Sequence, residues 1–382
     1  MAKKAYIGID NKARKVKKMY IGVDGVARKI KKAYIGVGGV ARPCFGGGEL
    51  VRYGTASRLG WARDSLAATA VGDYAIFGGG VRYDTEKATG ATDAYNSSLT
   101  KKTVYSLGTN RSSLAATSVG EYAIFGGGYS NDDGHVASTD AYNKSLSKNY
   151  SVPKLSVSRT ALAATTVGNY ALFGGGYNSS GNSTAVDAFD ASLTLKSAKS
   201  LSVARYKLAA TTVGGYALFG GGNSDPNAIK SSDVIEAYNA SLTQTKPSVF
   251  GVARYYHAAT TVGDYALFGG GQSSKTIAME VYDTSLTRTA QAELSAYRSG
   301  LAATTVGDYA LFGGGTGNGY STVVEAYDTS LTRTMPTGLY ERRGYLAATT
   351  VGDYALFGGG YDGSVDTDDA DRYSDIVDVY MV

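Results

Sequence analysis

The sequence is poor in the residues that build metal centres and covalent cross-links. Its 382 residues include one cysteine, Cys44, and two histidines, His135 and His257. A lone cysteine excludes an intrachain disulfide and a cysteine-rich metal site. So few histidines argue against a copper or zinc enzyme and against a histidine-based nucleophile pair. We therefore expect no bound metal and no cofactor.

Long apolar runs are also missing. No run approaches the roughly 18 residues that a transmembrane helix needs. The start of the chain, Met-Ala-Lys-Lys-Ala-Tyr, has no apolar signal region. We expect no membrane insertion and no Sec-type export, and the lone cysteine fits synthesis in a reducing cytoplasm.

Signatures of catalysis are missing as well. The glycine triplets of the sequence do not precede Gly-Lys-Ser/Thr and lack the spacing of a dinucleotide fingerprint. No sialidase-type Ser-x-Asp-x-Gly-x-Thr-Trp box occurs. Aspartate and glutamate are plentiful enough for a paired-carboxylate glycosidase, but no spacing points to one. We expect that the protein is not an enzyme.

The sequence contains seven copies of one motif, with small changes among them. The motif is Leu-Ala-Ala-Thr-Thr-Val-Gly-Asp-Tyr-Ala-Leu-Phe-Gly-Gly-Gly. The glycine triplets lie at residues 78–80, 126–128, 174–176, 220–222, 269–271, 313–315 and 358–360. A period in the forties with strand-like content indicates a ring or stack of β-units, none of which can bury a core alone.

Each unit reads as four antiparallel strands. Two apolar runs flank a Gly-Asp pair, as in residues 301–306 and 309–312, and the leading glycine suits the positive φ of a tight hairpin turn. A third strand with an aromatic residue follows, as in 278–282, and a turn such as 283–287 leads to a fourth. Four antiparallel strands per unit are typical of a propeller blade.

The order of these features resembles the kelch repeat. A hydrophobic residue and Phe-Gly-Gly end one strand, a strand with tyrosine follows, and an arginine precedes the next unit. The resemblance covers residues 46–382, with a third glycine in every copy and no tryptophan in the fourth strand as departures. It implies an all-β, seven-bladed kelch-like β-propeller, a fold that in this family serves enzymes, adaptors and adhesins.

The two ends of the repeat region complement each other. The last copy supplies a third strand at residues 376–380 but no fourth, whereas a strand-like segment precedes the first copy. Aligning Arg63 with Arg111 places residues 52–59 opposite residues 100–107. We predict that residues 50–60 complete the seventh blade, because closure removes two exposed sheet edges.

The loops predict two unequal faces. On the constant face, the turns between strands 1 and 2 and between strands 3 and 4 scarcely differ among units. On the variable face, the segments after the glycine triplets differ in length and chemistry, as in residues 81–92, 129–139, 223–233, 272–277 and 361–375. Variable loops on a rigid scaffold favour a ligand-binding role, although unrestrained loops also drift without a function.

An arginine stands three residues before each repeat core, and we expect all seven on the variable face near the central channel. They are Arg63, Arg111, Arg159, Arg205, Arg254, Arg298 and Arg343. Arginine contacts carboxylates and phosphates in a bidentate manner, so the ring is a candidate site for acidic sugars or acidic side chains. The alternative, which we favour for most of the seven, is that each arginine ties neighbouring blades through backbone carbonyls, as the kelch resemblance implies.

Tyrosines cluster beside these arginines. Tyr206, Tyr256, Tyr297 and Tyr345 are candidate ligand contacts, and Tyr255 and Tyr340 belong to the same cluster. Amphipathic rings bind glycans or proteins at little entropic cost. Packing between blades explains the same residues equally well.

The densest group of carboxylates lies between Asp366 and Asp375. Oxygen-rich loops bind Ca²⁺, but this one lacks the glycine of the EF-hand pattern. We favour a solvated acidic loop.

Residues 1–42 form a separate, basic segment. They contain twelve lysines and arginines against Asp10 and Asp24, a net charge of +10, whereas the whole chain carries +5. The segment repeats every 14 residues, and Asp24-Gly25 and Gly38-Gly39 between valines predict tight hairpins. Hairpins this small cannot form a good core alone, so we expect them to pack on a partner.

These repeats resemble the Tyr-Ile-Gly-Val-Asp-Gly-Val-Ala-Arg-Lys repeats of tail-associated and other structural proteins of phages and prophages of Gram-positive bacteria. The resemblance implies that residues 1–45 dock the chain to a virion or to sister chains. Nucleic-acid binding is the alternative for a basic segment, but regular strands between the charges favour assembly.

Two domains are therefore predicted, residues 1–45 and 46–382. We expect a virion structural protein, made in the host bacterial cytoplasm, whose tail- or baseplate-associated propeller binds a host receptor. Its partners would be other virion proteins and sister chains of a homo-oligomer, with a host-surface glycan or protein on the variable face and no nucleic acid. The alternatives are a capsid-decoration or spacer protein without a ligand, and an extracellular carbohydrate-active enzyme.

Overall fold

The protein folds into a ring of β-sheets. A computed structural model describes residues 49–227, 230–272, 277–289, 292–363 and 373–382, together with six short strands between residues 6 and 45. This part of the chain contains β-strands and no helices. Seven four-stranded antiparallel sheets form the blades of a β-propeller, which confirms the predicted all-β, seven-bladed fold.

The innermost strand of each blade comes from the Ala-Ala-Thr-Thr-Val part of the repeat. Its residues alternate between buried and half-buried, because successive side chains of a strand point to opposite faces. Each innermost strand contacts those of both neighbouring blades, and the seventh contacts the first. In the order of blades 1 to 7 they are Ala67–Val71, Ala115–Val119, Ala163–Val167, Ala209–Val213, Ala258–Val262, Ala302–Val306 and Ala347–Val351.

The second and third strands form the core of each blade. Their apolar side chains are almost fully buried, because a neighbouring blade covers each face of the sheet. The second strands are Tyr74–Gly78, Tyr122–Gly126, Tyr170–Gly174, Tyr216–Gly220, Tyr265–Gly269, Tyr309–Gly313 and Tyr354–Gly358. The third strands are Thr92–Asn96, Thr139–Asn143, Val186–Asp190, Ile235–Asn239, Glu280–Asp283, Val324–Asp328 and Val377–Met381.

The fourth strands are short and lie at the outer edge of the ring. In blades 1 to 6 they are Lys101–Thr103, Lys148–Asn149, Leu195–Ser197, Gln244–Thr245, Arg288–Thr289 and Arg333–Thr334. Four small two-stranded sheets extend blades 1, 2, 3 and 6 on the variable face. They pair Arg63–Asp64 with Val81–Arg82, Tyr129–Ser130 with Gly134–His135, Tyr177–Asn178 with Gly181–Asn182, and Thr316–Gly317 with Gly319–Tyr320.

The seventh blade takes its fourth strand from the opposite end of the repeat region. Val51–Thr55 pairs antiparallel with Val377–Met381. The register shifts between Val379 and Tyr380, where a β-bulge leaves Tyr53 without a partner across the strands. The bulge is absent from the simple alignment of residues 52–59 with 100–107, because an alignment at constant offset has no place for an extra residue.

Between residues 6 and 45 the chain forms three antiparallel strand pairs. They join Tyr6–Ile9 to Lys12–Lys15, Met19–Val23 to Val26–Ile30, and Ala33–Val37 to Val40–Phe45. The predicted turn residues, Asp24-Gly25 and Gly38-Gly39, lie outside the described residues.

Threonine hydroxyl groups connect the innermost strands around the channel. In five neighbouring pairs of blades, two threonine Oγ1 atoms lie 2.8–2.9 Å apart, as between Thr304 and Thr350. The second hydroxyl of the pair also donates to a backbone carbonyl of the preceding blade, as Thr350 does to Thr305. Blade 1 has Ala70 at the position of Thr350, so the series stops there.

Restoring this hydroxyl is expected to stabilise the ring. An Ala70→Thr variant places a hydroxyl beside Thr349 and the carbonyl of Thr350, and we expect a gain of about 1 kcal/mol in the free energy of unfolding. Chemical denaturation measures the change. Ala68→Thr, on the same channel-facing side of the strand but without a counterpart, is the matched control. Equal effects of the two variants would contradict the proposed bonding.

Candidate functional site

The seven candidate arginines lie at the inner end of the variable face, but their side chains are buried. Six are 0% exposed and Arg298 is 2% exposed. Their guanidinium groups donate to backbone carbonyls of their own blade, as Arg159 does to Phe173 at 3.1 Å. A group enclosed in this way does not reach a ligand in solution, which favours the structural alternative for the arginine ring.

The structural role also differs in detail from the expectation. The arginine side chains bind within a blade, whereas it is their backbone carbonyls that join neighbouring blades. The third glycine of each triplet donates its N–H to the arginine carbonyl of the next blade, as Gly128 does to Arg159 at 2.9 Å. This glycine has a positive φ, 115° in Gly128, and a Cβ atom there would lie 2.8 Å from the carbonyl oxygen of Ser112. The extra glycine of this repeat therefore serves the contact between blades.

Each arginine forms an ion pair with an acidic residue on the third strand of its own blade. The pairs are Arg63–Asp93, Arg111–Asp140, Arg159–Asp187, Arg205–Glu236, Arg254–Glu280, Arg298–Glu325 and Arg343–Asp378. These acids are not among the candidate residues predicted from the sequence. The signal was present, because each lies two residues before the aromatic residue of the third strand, and all seven copies are acidic there.

Beside the buried arginines, the backbone forms a closed ring. The residue two places after each arginine has a left-handed conformation, with φ between 52° and 60°. Its N–H donates to the carbonyl of the equivalent residue in the preceding blade at 2.7–3.0 Å, and the N–H of Ser65 closes the ring on Tyr345. We name these seven residues the mouth ring: Ser65, Ser113, Ala161, Lys207, Tyr256, Gly300 and Tyr345.

Six of the seven mouth-ring residues have side chains despite this conformation. A left-handed backbone costs an L-residue about 1–2 kcal/mol, and Gly300 shows that glycine occupies the same place. A second repeated left-handed position, between strands 3 and 4, is always leucine and packs in the core, at Leu99, Leu146, Leu193, Leu242, Leu286 and Leu331. A uniform leucine indicates packing. The mixture of residue types in the mouth ring indicates that these side chains are retained for a role other than packing.

The mouth ring surrounds a cavity of about 600 Å³ at the end of the channel. Six leucines and His257 line its buried side: Leu66, Leu114, Leu162, Leu208, Leu301 and Leu346. Asp64, Thr160, Tyr177 and Tyr206 line it together with the mouth ring. Its volume and its mixture of apolar and polar walls are typical of small-ligand sites.

His257 is part of this buried wall. It replaces the leucine that opens the other repeats, and it packs edge-on against Phe250 at a centroid distance of 5.9 Å. Burial, helped by the charge of Arg254, lowers the pKa of His257 to about 3. The imidazole is therefore neutral at physiological pH.

The two halves of the cavity differ in chemistry. Blades 1 to 3 contribute the small residues Ser65, Ser113 and Ala161. Blades 4, 5 and 7 contribute Lys207, Tyr256 and Tyr345. One half of the mouth is thus open and hydroxyl-rich, and the other is aromatic and cationic.

Lys207 is held among aromatic rings. Its Nζ atom lies 4.3 Å from the ring centroid of Tyr256, 4.7 Å from that of Tyr206 and 5.9 Å from that of Tyr255. These distances are those of cation–π contacts. No carboxylate of the described residues lies within ion-pair distance of Lys207.

Among the described residues that line this cavity, Asp64 is the only one with a carboxylate. Burial raises the pKa of its carboxyl to about 6, against the opposing effect of a hydrogen bond from Ser65. Burial and the nearby Asp64 charge raise the pKa of Tyr256, and Asp64 also contributes to the raised pKa of Tyr345 and of Tyr320. The carboxyl group lines the same cavity as Tyr256 and Tyr345. No Lys or Arg of the described residues forms an ion pair with it.

Only some of the candidate tyrosines lie at the cavity. Tyr206, Tyr256 and Tyr345 line the cavity. Tyr297 is half-buried and Tyr255 is 5% exposed, and neither lines the cavity. Tyr340 is 68% exposed and lines a separate cleft with Arg58.

No family model matches this sequence. A comparison with curated proteins also gave no match. What the propeller binds has therefore to be inferred from the chemistry of its mouth.

Two further observations concern other classes of site. Within the described ranges, no three His, Cys, Asp or Glu side chains come together as a metal site, and no helix there is long and apolar enough to span a membrane. Residues 366–372 of the acidic loop lie outside the described residues, so the choice between a Ca²⁺ loop and a solvated loop stays a prediction. At its end, Asp375 accepts a hydrogen bond of 2.7 Å from Arg58.

Proposed function

We propose that the protein is a structural protein of a phage or prophage virion, and that its propeller binds a host-surface glycan through the mouth ring. The observation that carries the binding proposal is the mouth ring itself. Six strained positions keep side chains of different chemistry around one cavity, whereas the innermost strands and the constant-face turns of the repeat are nearly uniform.

The shape and chemistry of the mouth favour a glycan over a protein. The cavity is concave and has the size of a small-ligand site. Tyrosine rings offer flat apolar surface to the C–H face of a sugar, and the nearby hydroxyl groups offer hydrogen bonds to its own hydroxyls. A protein partner would need a larger and flatter surface.

The attribution to a virion rests on the resemblance of the repeats in residues 1–45. In this proposal those residues dock the chain to other virion proteins and to sister chains, and the propeller faces outward. A glycosidase of the paired-carboxylate type is not favoured, because the described residues that line the mouth cavity include a single carboxylate, that of Asp64.

Binding tests this proposal on the full-length protein. We expect retention on host cells and on a glycan array, and loss of both in a Tyr256→Gly/Tyr345→Gly double variant. The stability of that variant is expected to stay within about 2 kcal/mol of the parent, because relief of the left-handed strain offsets the lost packing. Thermal unfolding checks this.

Tyr340→Ala is the matched control, because it removes an exposed tyrosine outside the mouth, and it is expected to bind like the parent. Incorporation of the protein into particles without any binding to cells would instead support the spacer alternative. Turnover of a bound glycan would support the enzyme alternative.

A further inference from the structure

Two opposite charges face each other across the mouth without a partner of opposite charge. Asp64 comes from blade 1 and Lys207 from blade 4, three blades apart in a ring of seven, so they lie on opposite sides. Neither forms an ion pair within the described residues. In the seven arginine–acid pairs next to the mouth, by contrast, each charge has a partner of opposite charge.

We propose that the mouth binds a zwitterionic saccharide unit, whose ammonium group pairs with Asp64 and whose anionic group pairs with Lys207. This inference rests on the proposed glycan-binding function and specifies the class of glycan. A ligand with both charges satisfies both unpaired groups at once, whereas a ligand with a single charge leaves the other desolvated.

The surroundings of Asp64 suit an ammonium group. It lines the same cavity as Tyr256 and Tyr345, and the faces of tyrosine rings attract cations. The same type of contact is already present on the other side, where tyrosine rings surround the ammonium group of Lys207. Tyrosine rings of this mouth thus already contact one ammonium group, and Tyr345 offers a further ring to a second one.

The surroundings of Lys207 suit an anion. Three tyrosine rings hold the ammonium group in place, which lowers the entropy that the side chain loses when an anion binds. The mouth-ring residues of blades 1 to 3 are small, so the body of a sugar has room between the two charges. Ser65, Ser113 and Thr160 offer hydroxyl groups on that side.

Binding should depend on pH through Asp64. The groups around it are Tyr256, Tyr345 and Tyr320 on neighbouring blades, Asp362 near Tyr320, Lys207 across the cavity and the neutral His257 below. The tyrosines titrate far above neutral pH, so Asp64 is the group that changes charge near pH 6. Protonation removes the partner of the ligand ammonium, and affinity for a zwitterion is therefore expected to fall as the pH drops below about 6.

The residues at equivalent positions of other blades indicate which substitutions preserve the backbone. The position of Asp64 is Ser112 or Ser299 in other blades, and the position of Lys207 is Ser65 or Ser113. Asp64→Ser and Lys207→Ser therefore introduce residues that already occupy the same backbone conformation. Lys144→Ser, which removes an exposed lysine from the constant face, is the control.

The probes are aminohexanoate, hexylamine and hexanoate, titrated calorimetrically into the full-length protein. We expect aminohexanoate to bind about tenfold more tightly than either singly charged probe. Asp64→Ser should abolish the advantage over hexanoate together with the pH dependence, and Lys207→Ser should abolish the advantage over hexylamine. Shorter and longer ω-amino acids should show one optimal length.

Equal affinities for aminohexanoate and hexanoate, equal affinities for aminohexanoate and hexylamine, or no binding of any probe would each overturn the inference. Cell binding separates it from the proposed function. If the parent binds cells and the two serine variants bind them equally well, the zwitterion site fails and the adhesion proposal stands. If the probes behave as expected but no host cell is bound, the adhesion proposal fails and the zwitterion site stands.

Discussion

Deletion of residues 46–62 is expected to destabilise the propeller by about 5 kcal/mol or more and to cause aggregation on heating. The segment contributes Leu50 and Leu59 to the core, each worth about 2 kcal/mol when buried. It also contributes Arg52, which pairs with Asp378 at 2.5 Å. Its removal exposes the edge of Val377–Met381, which can then pair with another chain.

Thermal unfolding followed by circular dichroism and light scattering measures both effects. A chain that lacks only residues 1–45 is the control, because it keeps the closing strand Val51–Thr55. We expect this control to unfold at the temperature of the parent. A deletion of residues 46–62 that unfolds like the control would refute the closure of the ring by this strand.

Replacement of Arg205 by methionine is the second change with a large expected effect. Arg205 and Glu236 are both 0% exposed and paired with each other. Burial lowers the pKa of Arg205 while the carboxylate of Glu236 opposes this effect, so each charge depends on the other. Without the arginine, Glu236 keeps only the bonds from Ser202. We expect a loss of about 3–5 kcal/mol in the free energy of unfolding.

Chemical denaturation of three variants checks the cause of this loss. An Arg205→Met/Glu236→Met double variant should recover more than half of it, because no buried charge is then left unpaired. Lys144→Ala breaks an ion pair whose side chains are 57% and 63% exposed, and it should cost less than about 1 kcal/mol. A single Arg205→Met variant as stable as the parent would mean that the buried ion pair within the blade does not contribute to stability.

Much of the fold could be predicted because its signals are local. The alternation of Ala-Ala-Thr-Thr-Val, the glycine before the turn and the period of the repeat all lie within one unit. The bulge that leaves Tyr53 unpaired could not be predicted in this way. It depends on how residues 51–55 meet a strand more than 300 positions away, as the separation of 326 between Arg52 and Asp378 shows.

The site was predicted less well, for a related reason. The arginines looked like ligands for an anion because their acidic partners are distant in sequence, Asp187 for example 28 residues after Arg159. The left-handed positions of the mouth ring could not be recognised from repeated glycines, since six of the seven carry other residues. Asp64 and Lys207 line the same cavity only because the blades are arranged in a ring. No residue spacing within one repeat indicates this arrangement.

The bonds of the mouth ring have a consequence for how this protein can change over generations. They run from main chain to main chain, and serine, alanine, lysine, tyrosine and glycine all support them. If the propeller binds its ligand through this ring as proposed, mutation at these positions alters what it recognises while leaving the architecture intact. A lineage facing altered receptors could keep its scaffold and revise a few codons, each in a different repeat.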